Sequence, residues 1–289
     1  MKRFFLVLFA AICTAAGPAG AEPRNAEAAG VEGSIQKVNI IDGRDDRDSL
    51  PAIAAALGLD ASEVARIRKV SGFVGCFLPT PSVGSGALFL NNQQVLTVGH
   101  IFFEPSGQRR SSCFFRNQDI EPVKIDLLTG EGDAVFGAGP PRPGSNNDYA
   151  IVRLAAPLEG AEAFPPAGRP AATGEPLIVI TAHPAGMEKE VDKGVPVAQP
   201  CRVRRAPVSS EATSFYRSDC DASGSSSGGM HLTRIDGALA FRGITITTGP
   251  WRDAAFKGAP YDERGGSVTT ALGTDAAILA AGRRLAGER

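Results

Sequence analysis

The sequence lacks the features that mark proteins binding nucleic acids or metal ions. It carries 30 basic and 31 acidic residues, and its basic residues form no stripe longer than Arg202–Arg205. The electrostatic footprint of a nucleic-acid-binding protein is therefore missing. It has only three histidines and neither a Cys-x-x-Cys nor a His-x-x-x-His pair, so the ligand spacing of a zinc site is absent. We expect no nucleic-acid partner, no metal and no cofactor.

Long apolar segments are also missing, except near the start. Lys2 and Arg3 precede an apolar run from Phe4 to Ala16, and the small residues Ala19-Gly20-Ala21 follow. This order is typical of a secretory signal peptide, here residues 1–21. The run is too short to cross a bilayer, and no later segment reaches about 18 consecutive apolar residues. We predict a secreted or periplasmic protein with no membrane association after cleavage.

Four cysteines remain beyond the signal peptide, an even number that suggests two disulfides in an oxidising compartment. They allow three pairings. We favour Cys76 with Cys113, a pair that brackets His100, and Cys201 with Cys220, a pair that braces the segment before Ser227.

The pattern changes near residue 70. Residues 22–70 are polar and charged and are expected to form a flexible extension or propeptide with one short helix, because Asp60 and Glu63 have capping-box spacing before apolar residues at helical spacing. Residues 71–289 contain short apolar or β-branched runs bounded by turn residues, which favour a sandwich or barrel. These predicted strands are 73–78, 87–90, 95–98, 123–127, 150–154, 177–180, 244–248 and 267–270. An Ala- and Leu-rich run at 275–285 predicts a closing helix.

Three residues suit nucleophilic catalysis. His100 leaves an apolar strand through one glycine, Asp148 stands directly before another strand, and Ser227 lies in a Gly- and Ser-rich turn. Such a turn aims a hydroxyl and successive N–H groups at one point, as an oxyanion hole requires. Each residue alone also fits an ordinary turn, cap or loop. Together, in this order, they fall where two successive barrels each contribute to one cleft.

These segments resemble motifs of the chymotrypsin-like serine proteases. Residues 95–100 resemble the histidine motif, 147–154 the aspartate motif, 226–229 the nucleophile motif and 84–88 the strand before the histidine; 41–47 and the spacing from Asp221 to Ser227 are similar to the bacterial glutamyl-endopeptidase-like branch. The resemblance covers roughly residues 40–272. It implies an all-β fold of two six-stranded antiparallel β-barrels with a C-terminal α-helix, within residues 71–289 and with the barrel boundary near 155–175.

The resemblance also implies roles for individual residues. His100, Asp148 and Ser227 would form the catalytic triad, with the N–H groups of Ser225 and Ser227 as the oxyanion hole. The residues predicted to line the substrate pocket are Asp221, Thr245 and Thr247. Asp221 either attracts basic side chains at the pocket base or accepts N–H bonds as a structural residue, and both interpretations stay open.

Three positions depart from the family pattern. Ser225 stands where glycine is normal, so a strained or differently turned loop is expected, and Met230 stands where proline is usual. Ser226 replaces the carboxylate that normally pairs with a freshly cut N-terminus. We therefore predict that residues 22–39 are trimmed or form a disordered arm, without the usual zymogen switch.

We predict a monomeric, secreted serine endopeptidase acting on a protein or peptide substrate. One alternative is an impaired homologue that binds a peptide or protein in the cleft. Another is an esterase or acyl transferase with the same triad, which a Gly-x-Ser-x-Gly motif in a strand-turn-helix setting would favour. His183 and His231 are expected to be ordinary turn and strand residues.

Overall fold

A computed structural model describes residues 38–119, 123–125, 134–137, 141–182, 195–207, 215–249 and 256–287, all within one compact unit. The predicted signal peptide, residues 22–37 and His183 lie outside these ranges. Within them the chain is mostly β-structure, with three α-helices and a 3-10 helix at Gly99–Phe102. The strands are β1 (Val38–Ile41), β2 (Asp48–Ser49), β3 (Ser71–Leu78), β4 (Ser82–Leu88), β5 (Gln94–Thr97), β6 (Ser111–Arg116), β7 (Val123–Lys124), β8 (Ala134–Phe136), β9 (Ala150–Arg153), β10 (Pro176–Thr181), β11 (Val197–Arg205), β12 (Phe215–Ser218), β13 (Ala222–Ser223), β14 (Met230–Ile235), β15 (Ala238–Thr248), β16 (Phe256–Ala259) and β17 (Thr269–Gly273), and the α-helices are α1 (Leu50–Ile53), α2 (Ala61–Val70) and α3 (Ala276–Ala286).

Six strands in the second half of the chain close into a barrel. Their order is β10-β14-β15-β17-β12-β11, β11 pairs back with β10, and β2 adds to β11. Because successive side chains of a strand point to opposite faces, Leu177 and Val179 pack with Val203 and Tyr216 in one cluster. The alternate residues Ile178 and Ile180 join the larger core instead, so β10 is apolar on both faces.

The first half forms a curled seven-stranded sheet in the order β7-β6-β3-β4-β5-β9-β8. Its curl brings β7 to β9, where Ile125 and Leu154 form a single isolated bridge. The predicted all-β fold with a C-terminal helix is thus confirmed. The first half differs in detail from the predicted six-stranded barrel, because β8 adds a seventh strand to its sheet.

Residues 38–70 are packed into this unit through strand pairing, a capped helix and buried side chains. β1 pairs with β13 and β16, and β2 pairs with β11. The predicted helix is confirmed: Asp60 caps α2 in a reciprocal capping box with Glu63. Because Leu50, Ile67 and Val70 are fully buried, this stretch is an integral part of the core and not the flexible leader that its polar composition suggests.

The C-terminal helix α3 begins at the N-cap Asp275, whose carboxylate accepts from two backbone N–H groups. It ends at Gly287, which adopts the left-handed conformation at φ 81°, where glycine carries no steric cost. The helix packs on the first sheet, and Gln94 on β5 donates to the Gly282 carbonyl at 3.0 Å. No helix in the described ranges is long and apolar enough to span a bilayer.

Both predicted disulfides are confirmed. Cys76 and Cys113 lie opposite each other on β3 and β6. Cys201 on β11 joins Cys220, the residue directly before Asp221. The second bridge therefore anchors the chain that leads into the Ser227 loop, defined here as residues 223–229.

Removing a bridge is expected to weaken the fold measurably. The Cys201–Cys220 bridge spans 19 residues, and closing a loop of about that length stabilises a protein by roughly 3 kcal/mol. The double variant Cys201→Ala/Cys220→Ala should lose about that much free energy of unfolding in urea titration. Dithiothreitol should destabilise the parent in the same direction. An unchanged urea midpoint in the double variant would contradict this assignment.

Candidate active site

The imidazole of His100 is fixed by Asp148. The strand β5 ends at Thr97, and the chain then turns into the short 3-10 helix that carries His100. Asp148, fully buried before β9, accepts from the His100 backbone N–H at 2.9 Å and contacts His100 Nδ1 at 2.8 Å. β5 and β9 are neighbours in the sheet, so the pairing of the two strands brings the two side chains together.

This contact sets the chemistry of the ring. Asp148 Oδ2 acts as an acceptor toward His100 Nδ1 and toward the backbone N–H of Gly144. Nδ1 therefore carries the hydrogen, and Nε2 is left as a base. The His100 side chain is 22% exposed, so part of the ring is accessible from solvent. Arg110 steadies this helix by donating to the carbonyl oxygens of His100 and Ile101.

The Ser227 loop is docked directly on β4, beside the helix of His100. The Ser227 carbonyl accepts from the Ser85 N–H at 2.7 Å, and Ser85 Oγ donates to the Ser225 carbonyl at 2.9 Å. A Cβ at Gly84 would lie 2.6 Å from both Ile101 Cδ1 and the Ser227 carbonyl. Glycine at this position therefore permits the close approach of the Ser227 loop to the histidine side of the cleft.

Gly228 is required by the same packing. Its φ is +82°, and a Cβ there would lie 1.9 Å from the Ser85 carbonyl. Its N–H donates to the Thr245 carbonyl at 2.7 Å. The glycine after Ser227 thus lets one loop contact β4 on one side and β15 on the other, which joins the two halves of the molecule at the site.

The backbone donors of the Ser227 loop fall into two groups. The N–H groups of Ser223, Ser226, Gly228 and Gly229 donate within the protein. Among the described residues, the N–H groups of Gly224, Ser225 and Ser227 donate to none. Of these three, Ser225 and Ser227 are the pair predicted to form the oxyanion hole, which needs unused donors.

Ser225 adopts the left-handed conformation with φ +66°. Ser225 thus keeps a backbone conformation that glycine would adopt freely. For a residue with a Cβ this conformation costs roughly 1–2 kcal/mol. This is the strain that the sequence predicted at position 225.

Ser227 itself is half-buried. Within the described ranges its hydroxyl has no hydrogen bond to His100, so the structure joins His100 to Asp148 and leaves Ser227 apart from that pair. Catalytic hydrogen bonds of this kind are often long without substrate and shorten in the complex.

Asp221 is buried and binds backbone donors. Its Oδ1 accepts from the Ile41 N–H at 2.8 Å and its Oδ2 from the Asp46 N–H at 2.9 Å. Burial raises the pKa of this carboxyl to about 7, against the lowering effect of the Asp46 and Ile41 N–H bonds. These contacts correspond to the structural role that the sequence left open beside substrate binding.

The other two predicted pocket residues lie on β15. Thr245 is buried, and its Oγ1 contacts His231 Nε2 at 2.8 Å. Thr247 is half-buried, and its methyl group lies 2.9 Å from where a Cβ of Gly144 would be. Thr247 thus reaches the loop that carries Asp148, whereas Thr245 faces the barrel interior.

A buried polar chain behind β15 was missed by the sequence interpretation. Tyr216 Oη contacts His231 Nδ1 at 2.8 Å, and the other ring nitrogen contacts Thr245. Burial raises the pKa of Tyr216 well above its usual value and lowers that of His231 to about 3. His231 is therefore neutral at ordinary pH. A single histidine in an apolar strand gives no local signal of such distant partners.

Comparison with known proteins places these features in a family. A model of the trypsin-like peptidase domain matches residues 84–239, more than half of the chain. No protein of curated function matches the chain significantly in sequence.

Solved structures share the fold. A Glu endopeptidase, solved in complex with MPD, is 13% identical with a TM-score of 0.59, over 83% of this chain and 96% of that one. The protease Anisep from Arthrobacter nicotinovorans is 15% identical with a TM-score of 0.54, over 76% and 96%. The thermostable serine protease AL20 is 16% identical with a TM-score of 0.51, over 76% and 99%. With the family-model match across the cleft residues, the chain belongs to the trypsin-like peptidase family.

Proposed function

We propose that this chain is an exported serine endopeptidase that uses His100, Asp148 and Ser227. The observation that carries the proposal is the Asp148-fixed imidazole of His100 beside a loop in which the Ser225 and Ser227 N–H groups have no acceptor among the described residues. Membership of the trypsin-like peptidase family indicates the substrate class, which is peptides or proteins. Two disulfides accord with export, since such bonds persist in oxidising compartments.

In the proposed mechanism, Ser227 Oγ attacks the carbonyl carbon of the scissile peptide bond while His100 Nε2 takes the hydroxyl proton. The resulting oxyanion accepts from the N–H groups of Ser225 and Ser227. The C–N bond then breaks, and His100 passes its proton to the leaving amine. Water repeats the attack on the acyl-enzyme with His100 again as the base, which releases the carboxylic acid product and restores Ser227.

Two features oppose an inactive, purely binding homologue. The contact between Asp148 and His100 Nδ1 orients the imidazole as a base, which catalysis requires and peptide binding alone does not. Ser225 also carries a left-handed conformation at an energetic cost, and the loop it shapes keeps donors free that a folded loop would otherwise satisfy. Loss of one such donor typically costs about 2.7–4 kcal/mol in the barrier, which exceeds the cost of about 1–2 kcal/mol at Ser225.

The direct test is labelling with a fluorophosphonate, followed by peptide mapping. We expect one adduct, on Ser227. A peptide substrate should compete with the probe and slow the labelling. Digestion of a peptide library then gives the cleavage sites and separates a peptidase from an esterase. A probe that leaves Ser227 unmodified under conditions that label a trypsin control would contradict the proposal.

A further inference from the structure

The N-terminal segment, defined here as residues 38–47, lies against the chain that enters the Ser227 loop. β1 pairs with β13, with Val38 opposite Ser223 and Asn39 opposite Ala222. Asn39 Nδ2 also donates to Thr248 Oγ1 on β15 at 2.6 Å. The segment thus contacts both the loop and the strand beside it.

Two buried ionisable side chains hold this contact from opposite sides. Asp221, two residues before the loop, accepts from the N–H groups of Ile41 and Asp46. Arg47 reaches back from the segment, and its Nη1 donates to Ser223 Oγ at 2.7 Å. Both residues are almost completely buried. The bonds to the Ile41 N–H and to Ser223 Oγ are buried, and the bond to the Asp46 N–H is partly buried.

Each of these side chains is itself fixed by further bonds. The guanidinium of Arg47 also binds both carboxylate oxygens of Asp45 at 2.8 Å. The backbone of Asp221 exchanges two hydrogen bonds with the side-chain amide of Gln199 on β11, at 2.8 and 2.7 Å. Buried polar groups whose hydrogen bonds are satisfied hold a unique geometry.

Ser226, the residue directly before Ser227, does not bind the N-terminal segment. Ser226 is buried, and its Oγ accepts from the Ser223 N–H at 3.0 Å. It therefore stabilises the turn from inside the loop and carries no charge to bind a distant segment. The external connections of the loop entrance run instead through Asp221 and Ser223.

We propose that Asp221 is a positioning residue which, together with Arg47, fixes the N-terminal segment to the Ser227 loop and thereby holds the Ser225 and Ser227 N–H groups in place for catalysis. The inference rests on the proposed function and goes beyond it. It gives Asp221, which the family resemblance placed at the base of the substrate pocket, the role of aligning the Ser227 loop instead. Substrate selection would then fall to other residues.

The test is the variant Asp221→Asn, compared with the parent at a pH above the Asp221 pKa of about 7, where the carboxylate is ionised. Asparagine keeps the shape of the side chain but presents a donor to one of the two N–H groups. Since small displacements of oxyanion donors are costly, kcat should fall about tenfold to a hundredfold. KM for a peptide should change much less, because Asp221 is not expected to touch substrate.

The matched control is Asp219→Asn. Asp219 lies two residues upstream in the same chain segment, but its carboxylate binds Arg202 and Arg204 on β11. This variant should retain kcat within about twofold, as for most substitutions away from buried networks. Arg47→Met serves as a second variant that removes the bond to Ser223 and keeps the apolar stem.

Hydrogen exchange supplies a readout that does not depend on activity. In Asp221→Asn, the amides of Ile41, Asp46 and residues 223–229 should exchange faster than in the parent, and Asp219→Asn should leave them unchanged. Parent-like kcat in both Asp221→Asn and Arg47→Met, or parent-like exchange in residues 223–229, would overturn the inference. Failure of the fluorophosphonate to label the parent would instead overturn the proposed function, and the exchange data would still decide on the contact.

The pH dependence of stability gives a second check on the burial of Asp221. The groups facing its carboxylate are Asp45, which raises its pKa, and Arg47, which lowers it, while β11 presents the neutral Gln199. The folded pKa of about 7 exceeds the usual 3.8, so the folded chain binds more protons between these values. The parent's free energy of unfolding should therefore fall, relative to Asp221→Asn, as the pH rises from about 4 to 7. His231 acts in the opposite direction in both proteins and cancels in this difference.

Discussion

Replacing Ser227 with alanine is expected to lower kcat for peptide hydrolysis about a millionfold. The variant loses the attacking oxygen, so the acyl-enzyme cannot form. The fold should not change, because the contacts of Ser227 to β4 run through its backbone carbonyl. Steady-state turnover of a cleavable peptide, with thermal unfolding measured in parallel, gives both quantities.

Ser106→Ala is the matched control for this experiment. It removes one hydroxyl from an exposed turn on the first half of the molecule. Its activity and stability should stay close to those of the parent. Peptide cleavage at the parent's rate by purified Ser227→Ala would show that another group is the nucleophile.

Changing Asp148 to asparagine should lower kcat about ten-thousandfold at neutral pH. The amide can offer a donor to His100 Nδ1, which then holds its hydrogen on Nε2, where a base is needed. Asparagine retains the size of the side chain, so KM should change little. The measurement is kcat and KM for one peptide substrate in the parent and in the variant.

Asp119→Asn is the matched control for Asp148→Asn, because it makes the same change from a carboxylate to an amide. Asp119 forms an exposed ion pair with Arg68, and such pairs contribute about 0–1 kcal/mol. If Asp148→Asn retained more than a tenth of the parent's kcat, orientation of the imidazole by Asp148 would not be part of the mechanism. If Asp119→Asn were equally impaired, the loss would reflect general destabilisation.

The sequence predicted those parts of the molecule whose signals are local. The capping-box spacing of Asp60 and Glu63 correctly predicted the position of helix α2. Strand-forming runs flanked His100 and Asp148, and their pairing as β5 and β9 produced the contact between the two side chains. The disulfide pairs followed from their positions around the candidate site.

Other parts depend on distant partners and were not readable from local pattern. Residues 38–47 look like a polar leader, yet Asp221 lies 180 residues from the Ile41 N–H that it binds. Tyr216 reaches His231 only because their strands enter the same barrel. The closure of the first sheet by a single bridge likewise depends on the lengths of strands, which periodicity does not fix.

The packing of α3 on the first sheet has a consequence for the order in which the molecule matures. Arg153 on β9 donates to the Leu285 carbonyl, and Gly282 leaves room for Phe89 and Leu90. An earlier-made part of the polypeptide is thus sealed by a part that is made more than a hundred residues later. Contacts of such long sequence separation form slowly. The half of the cleft bearing the imidazole therefore completes its interior only after α3 has been made.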